Sequence, residues 1–256
     1  SLSTAYDLST ISYDSVSLDI SSQTNNVWGM RWNNNGTKLY VLCRDLDDIV
    51  AYDLSTAYDL STASYNNEKF DASSQDTSPS GFFFKPDGLK MYLVGYQNDT
   101  VYQYSLSSAF DLSTVSYDSV SFSVASQDGT PDEVEFSSDG TKMFILGDDN
   151  NAVYEYTLST AWDVSTASYN NVSFTGIVDG SPRQIVFDPD GSNYFIIGRG
   201  DDKVRKFQVA GYLQYAKLVA ADGATGDAFS GDINGTGNSH AVAISGDGSY
   251  AIVGAP

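Results

Sequence analysis

The nonapeptide Leu-Ser-Thr-Ala-Tyr-Asp-Leu-Ser-Thr at residues 2–10 returns at residues 54–62. It returns again at 106–114 with Ser108 and Phe110 in place of the Thr and Tyr, and at 158–166 with Trp162 and Val164, each copy 52 residues after the last. A second landmark keeps the same phase: Asn35-Gly36, Asp87-Gly88, Asp139-Gly140 and Asp190-Gly191, each followed by a short apolar run. A fixed period near fifty residues means one supersecondary unit repeated, each copy burying its apolar faces against the next.

The content of one repeat decides which unit it is. In residues 79–124, the apolar run from Gly81 to Phe84 meets the turn signal Pro86-Asp87-Gly88. A β-rich run from Leu89 to Val94 ends at Gly95, Asn98-Asp99 marks another turn, and two alternating segments follow at 101–104 and 117–124. That is four short strands joined by turn residues, with no apolar period of 3.6. Four strands per fifty residues describes one blade, so the fold is expected to be all-β: a β-propeller of four-stranded antiparallel blades. With strands lettered A to D from the hub outward, strand A carries Met30/Trp32, Phe82/Phe84, Val134/Phe136, Ile185/Phe187 and Val242/Ile244. Strand B carries Tyr40, Tyr92, Phe144 and Phe195 at one register position. A blade is buried on both faces, so these aromatics are read as blade-to-blade core. Pro79, Pro131 and Pro182 sit just before strand A, where a fixed φ and a missing donor are tolerated. The Ser-Thr loop between strands C and D recurs too uniformly for a specific binding site, and its Ser, Thr and Asp side chains suit local backbone hydrogen bonds.

The repeat boundaries divide the chain into residues 1–209, four repeats of propeller blades, and residues 210–256, where the Ser-Thr loop is absent and a different partial blade begins. That partial blade is expected either to continue the same propeller or to start another. The chain starts after a strand C and stops before one, so it is expected to be a segment of a larger chain. Residues 13–20 read as a strand that closes a ring by serving as the outer strand of the last blade.

The blade core Pro79-Ser-Gly81 through Phe84, with Pro86-Asp-Gly88 and Met91-Tyr-Leu93, resembles lactonase-type (YVTN-like) propeller repeats. Its longer form, with the Ser-Thr-Ala-Trp-Asp loop, resembles repeats of marine bacterial and phage surface proteins. From about residue 213 the chain resembles an FG-GAP (integrin-type) repeat, with Phe229-Ser-Gly231 and Gly254-Ala-Pro256 standing for its conserved ends. In that family an Asp-rich loop binds calcium. The text here is Asp232-Ile-Asn234-Gly235, so the resemblance implies Asp232 and Asn234 as the metal candidates, weak ones because two of the carboxylates are missing.

Acidic residues outnumber basic ones 33 to 13, a net charge of −20. Such a surface repels phosphate backbones and anionic headgroups, which argues against nucleic-acid binding and membrane insertion. The single histidine, His240, excludes a histidine metal cluster and any repeated Ser-His-Asp set. Cys43 stands where the other blades have Gly95, Gly147 and Gly198, and reads as a small buried residue rather than a nucleophile. The pairs Asp47-Asp48, Asp148-Asp149 and Asp201-Asp202 all fall in the B–C turn and read as turn chemistry. Asp132, Glu133 and Glu135 in the third blade line the prospective channel at the depth of Arg31 and Arg183. They either offset those charges or hold a cation. With no catalytic set evident, the expectation is a non-enzymatic module, with no catalytic residues and no cofactor. It is expected on a virion (tail, fibre or capsid appendage) or a cell surface, presenting loops to subunits of a larger assembly, to a surface glycan or receptor, or to further copies of itself. The alternatives are a bacterial adhesin and a secreted propeller hydrolase, lactonase-like or glycan-cleaving. A hydrolase requires a distinctive polar cluster at the hub mouth.

Overall fold

The structure is a computed structural model that describes residues 12–209, apart from 178, 189, 190 and 202, together with 242–244 and 251–253. The chain divides into two units, residues 1–209 and 210–256. In the first unit every repeat becomes one antiparallel sheet. Blade 1 runs β1 (Val27–Trp32), β2 (Lys38–Cys43), β3 (Asp48–Leu54) and β4 (Ala63–Asp71). Blade 2 runs β5 (Pro79–Phe84), β6 (Lys90–Gly95), β7 (Thr100–Leu106) and β8 (Val115–Ser123). Blade 3 runs β9 (Pro131–Phe136), β10 (Lys142–Gly147), β11 (Ala152–Leu158) and β12 (Ala167–Phe174). Blade 4 has β13 (Pro182–Phe187), β14 (Asn193–Gly198) and β15 (Val204–Gln208). In the second unit β16 (Val242–Ile244) pairs antiparallel with β17 (Ala251–Val253). The blades form a β-propeller with β1, β5, β9 and β13 innermost, β5 touching β1 and β9, and β9 touching β13.

The in-register aromatics are the blade-to-blade core. Tyr40 and Leu42 of blade 1 pack with Phe82, Phe84, Met91 and Leu93 of blade 2, and Tyr92 and Val94 of blade 2 pack with Val134, Phe136 and Met143 of blade 3. Leu146 and Val153 pack with Ile185, Tyr194 and Ile196 of blade 4. Each large side chain fully buried this way contributes roughly 1.5–3 kcal/mol.

The Ser-Thr loop is a latch. Asp59, Asp111 and Asp163 cap single turns of 3-10 helix by accepting the backbone N–H of Ser61, Ser113 and Ser165. The preceding aromatic takes positive φ, 60° at Tyr58, 61° at Phe110 and 67° at Trp162. It lies flat on the turn glycine, where a Cβ at Gly36, Gly88 or Gly140 would sit 2.4, 2.3 or 2.2 Å from the ring. The loop backbone then accepts a hydrogen bond from the preceding blade: the Tyr40 hydroxyl donates to Phe110 O at 2.5 Å and the Tyr92 hydroxyl to Trp162 O at 2.6 Å. One latch per junction explains why the loop repeats so uniformly.

A second linked pair explains Cys43. Gly95, Gly147 and Gly198 face the buried carboxylates of Asp76, Asp128 and Asp179, which a Cβ would approach to 2.4, 2.2 and 2.4 Å. Blade 1 has Thr24 in the place of those acids, and the smaller side chain leaves room for Cys43, which is fully buried. Burial pushes its thiol up to about 11, consistent with packing rather than nucleophilic duty.

Residues 13–20 correct the ring-closing expectation. They lie in no strand, and blade 4 has three strands among the described residues. Leu18 and Ile20 instead pack on the outer cluster of blade 1, against Leu39, Val41 and Tyr52. Ser15 does share the positive φ of Asn67, Ser119 and Asn171, its counterparts in the other copies. The segment therefore keeps the local shape of an outer strand, but a strand exists only through its ladder, and no neighbouring strand pairs with it.

Candidate active site at the hub

The inner strands differ from one another where the rest of the repeat does not. Their fourth residues are Met30, Phe82, Val134 and Ile185 and their sixth are Trp32, Phe84, Phe136 and Phe187, all apolar. Their third residues are Gly29, Gly81, Glu133 and Gln184, and their fifth are Arg31, Phe83, Glu135 and Val186. Fold explains the uniform positions, whereas the variable ones are free to carry a site.

Arg31 of blade 1 crosses the hub to blade 3. Its Nη2 lies 2.6 Å from Glu135 Oε2 and 3.2 Å from Glu133 Oε1, while its Nε donates to Phe82 O at 3.0 Å. Gly81 makes room, because a Cβ there would meet Glu133 Oε1 at 2.6 Å. Both carboxyls are almost wholly withdrawn from solvent. Burial outweighs Arg31 and pushes Glu133 up to about 8 and Glu135 up to about 7. Burial by itself would lower the Arg31 pKa, but the two carboxylates prevail and raise it. Two acids thus share one guanidinium, and near neutral pH the trio retains one carboxyl proton.

A second cluster occupies the mouth. Arg183 Nη1 lies 2.5 Å from Asp132 Oδ1 and donates to the Tyr96 hydroxyl oxygen at 2.8 Å; its Nη2 lies 3.1 Å from Asp148 Oδ2. The Tyr96 hydroxyl donates to Asp132. Asp132 is fully buried, and burial, opposed by Tyr96 and Arg183, lifts it to about 7. The Arg44 guanidinium lies over the rings of Trp28 (3.8 Å) and Tyr96 (4.4 Å).

The structure therefore brings together Arg31, Arg183, Asp132, Glu133 and Glu135, the five charges that the sequence placed at one depth, and pairs them as offsetting charges. Among the described residues no group of three or more His, Cys, Asp or Glu is placed to hold a metal ion. Of the turn acids, Asp48 pairs with Lys69 at 2.9 Å and Asp201 with Arg205 and, at 3.0 Å, with Lys203. Asp148 is a turn acid that also joins the mouth. Sequence reasoning missed it together with Tyr96 and Arg44. The signal lay in the residue after strand B, which changes from blade to blade as Arg44, Tyr96, Asp148 and Arg199. Asp232, Asn234 and His240 lie outside the described residues, as do Asp202 and the FG-GAP-like motifs at 229–231 and 254–256.

No protein-family model matches the chain, and no curated protein sequence matches it. Solved structures similar to it include a candidate 6-phosphogluconolactonase from Bacteroides fragilis, at 14% identity and TM-score 0.49, covering 72% of this chain and 50% of that one. The periplasmic gluconolactonase of Pseudomonas aeruginosa is similar at 15% identity and TM-score 0.45, covering 72% and 50%. The β-propeller domain of Cps50 (Swd1) from Myceliophteria thermophila is similar at 13% identity and TM-score 0.45, covering 76% and 55%. This chain spans about half the length of these structures. At such identities the likeness concerns the fold. The expectation of a non-enzymatic display module, on a virion or elsewhere, does not stand. The hub holds the converging polar cluster whose apparent absence was the ground for that expectation.

Proposed function

We propose that the chain is a hydrolase of the lactone or ester class, exported from the cell, whose reaction takes place at the hub. The reading rests on two buried carboxyls held by one guanidinium, with pKa values pushed up to about 7 and about 8. General acid–base catalysis is most effective when the pKa lies near the working pH. Glu135, which takes the shorter contact with Arg31, is the ionised partner, and Glu133 keeps the proton. The Glu135 carboxylate removes a proton from water as its oxygen adds to the substrate carbonyl carbon. The C–O bond to the alkoxide then breaks, and Glu133 delivers its proton to the leaving oxygen. The product is a hydroxy acid, and the proton taken by Glu135 passes to Glu133 to restore the pair. Arg31 holds both acids in place, and none of these steps requires a metal or an organic cofactor. The lactonase-type blade motif around Pro79 to Leu93 accords with this reading.

The test is hydrolysis of a panel of lactones and carboxylic esters across pH 6–9. Glu135→Gln is expected to lower kcat by about 10²–10⁴-fold, the usual worth of a positioned acid or base. Turnover that survives both Glu133→Gln and Glu135→Gln, or a wild-type chain inert toward the whole panel, would overturn the proposal.

A further inference from the structure

A cavity of about 680 Å³ separates blade 1 from blade 4, the one junction of neighbouring blades that no packed core fills among the described residues. Its walls include Trp28, Met30, Trp32 and Ile197, and Arg183 and Arg199 stand at its polar end. We propose that this cavity binds the substrate, and that the substrate joins an apolar acyl body to the lactone or ester group, giving an amphipathic carboxylate as product. The proposal rests on the hydrolase reading and names its substrate class.

Four observations carry it. The volume is that of a small-molecule site. The walls are uncovered apolar surface: Met30 is 53% exposed and Ile197 45%, whereas Phe82, Val134 and Ile185 are buried at the first position and Leu42, Val94 and Leu146 at the second. Uncovered apolar surface rimmed by polar groups marks a binding site. The polar end carries a cation that forms no ion pair among the described residues. Arg199 Nε donates to Ser181 Oγ at 3.2 Å, whereas Arg183 is committed to Asp132 and Asp148. In a chain of net charge −20, an uncompensated guanidinium beside an apolar cavity is matched to a carboxylate. Finally, the cavity extends to the innermost strands β1 and β13, where Gly29 and Gln184 line it at the strand position that Glu133 holds in blade 3. A Cβ on Gly29 would meet nothing within 4 Å, so the space beside it is open at that level.

The test uses the full 256-residue chain with decanoate as the product-like probe. Binding is followed by calorimetry and by the fluorescence of Trp28 and Trp32, with acetate as the short control. Decanoate is expected to saturate one site and acetate not to. Arg199→Gln and Ile197→Asp should each weaken decanoate by about tenfold or more. Both sites are partly open, so these variants keep the fold. In turnover, Ile197→Asp should lower kcat/KM for δ-decalactone at least about tenfold more than for γ-butyrolactone, and Gly29→Leu should obstruct the longer substrate. Decanoate binding without hydrolysis of any lactone supports the cavity and sinks the hydrolase reading. Hydrolysis indifferent to chain length, with no decanoate binding, sinks the cavity and leaves the hydrolase. A dimer by light scattering that Ile197→Asp dissociates would make this face an interface between copies and overturn the proposal.

Discussion

Replacing Glu133 by Gln keeps the shape of the buried side chain and removes its titration. In the wild type, burial raises the Glu133 carboxyl from its ordinary value of 4.5 to about 8. A group whose folded-state pKa lies above its unfolded one binds its proton more tightly when folded. Its stabilisation is complete below about pH 4.5 and is lost as pH rises through about 8. That span, at about 1.4 kcal/mol per pH unit, is worth roughly 5 kcal/mol, comparable to the whole stability of many domains. Glu133→Gln removes that titration and leaves Arg31 paired with Glu135 alone, whose own burial-raised titration is common to both proteins. Between pH 5 and pH 9 the variant should therefore lose about 3–5 kcal/mol less stability than the wild type, the two being within about 1 kcal/mol of each other at the acid end. Urea unfolding of both proteins at pH 5, 7 and 9 measures this directly. Parallel pH profiles would refute the reasoning, because they would mean that Glu133 ionises as freely in the hub as in the unfolded chain.

Gly95→Ala drives a Cβ to 2.4 Å from the Asp76 carboxyl and should cost about 2–4 kcal/mol. Adding Asp76→Thr should recover at least about half of that loss, as the Thr24/Cys43 combination of blade 1 implies, and plain additivity in a double-mutant cycle would contradict the coupling. Tyr92→Phe removes the donor to Trp162 O and should lower stability by about 1–2 kcal/mol in denaturant melts; no change would mean that the latch carries no load. Cys43, fully buried with its thiol pushed up to about 11, should react with a thiol reagent at pH 8 only at the rate of unfolding, and rapid labelling of the native chain would show that the strand edge opens.

The blades were legible because a 52-residue period and four runs of turn chemistry are local signals, as in residues 79–124, where every strand seen in the sequence exists. The outer strand expected at residues 13–20 was not, because its residues have the right pattern and even the positive φ at Ser15. What a strand also needs is a partner, and that is a tertiary fact. At the hub, the charges of Arg31 and Glu135 were visible as types. Their meeting was not, since 104 residues separate them and only the curvature of the ring brings blade 1 over blade 3. Register in the repeat was enough to place Asp132, Glu133, Glu135, Arg31 and Arg183 at one depth. Which of them pair was not legible, because that depends on contacts between blades far apart in sequence.

The claim beneath the account is that the hub carboxyls hold a proton at neutral pH. The most direct measurement is a carbon-13 NMR titration of chain labelled at the glutamate side-chain carboxyls, with Glu133→Gln and Glu135→Gln used to assign the two resonances. The account predicts two glutamates titrating between about 7 and about 8. Finding both already ionised by pH 6 would contradict it.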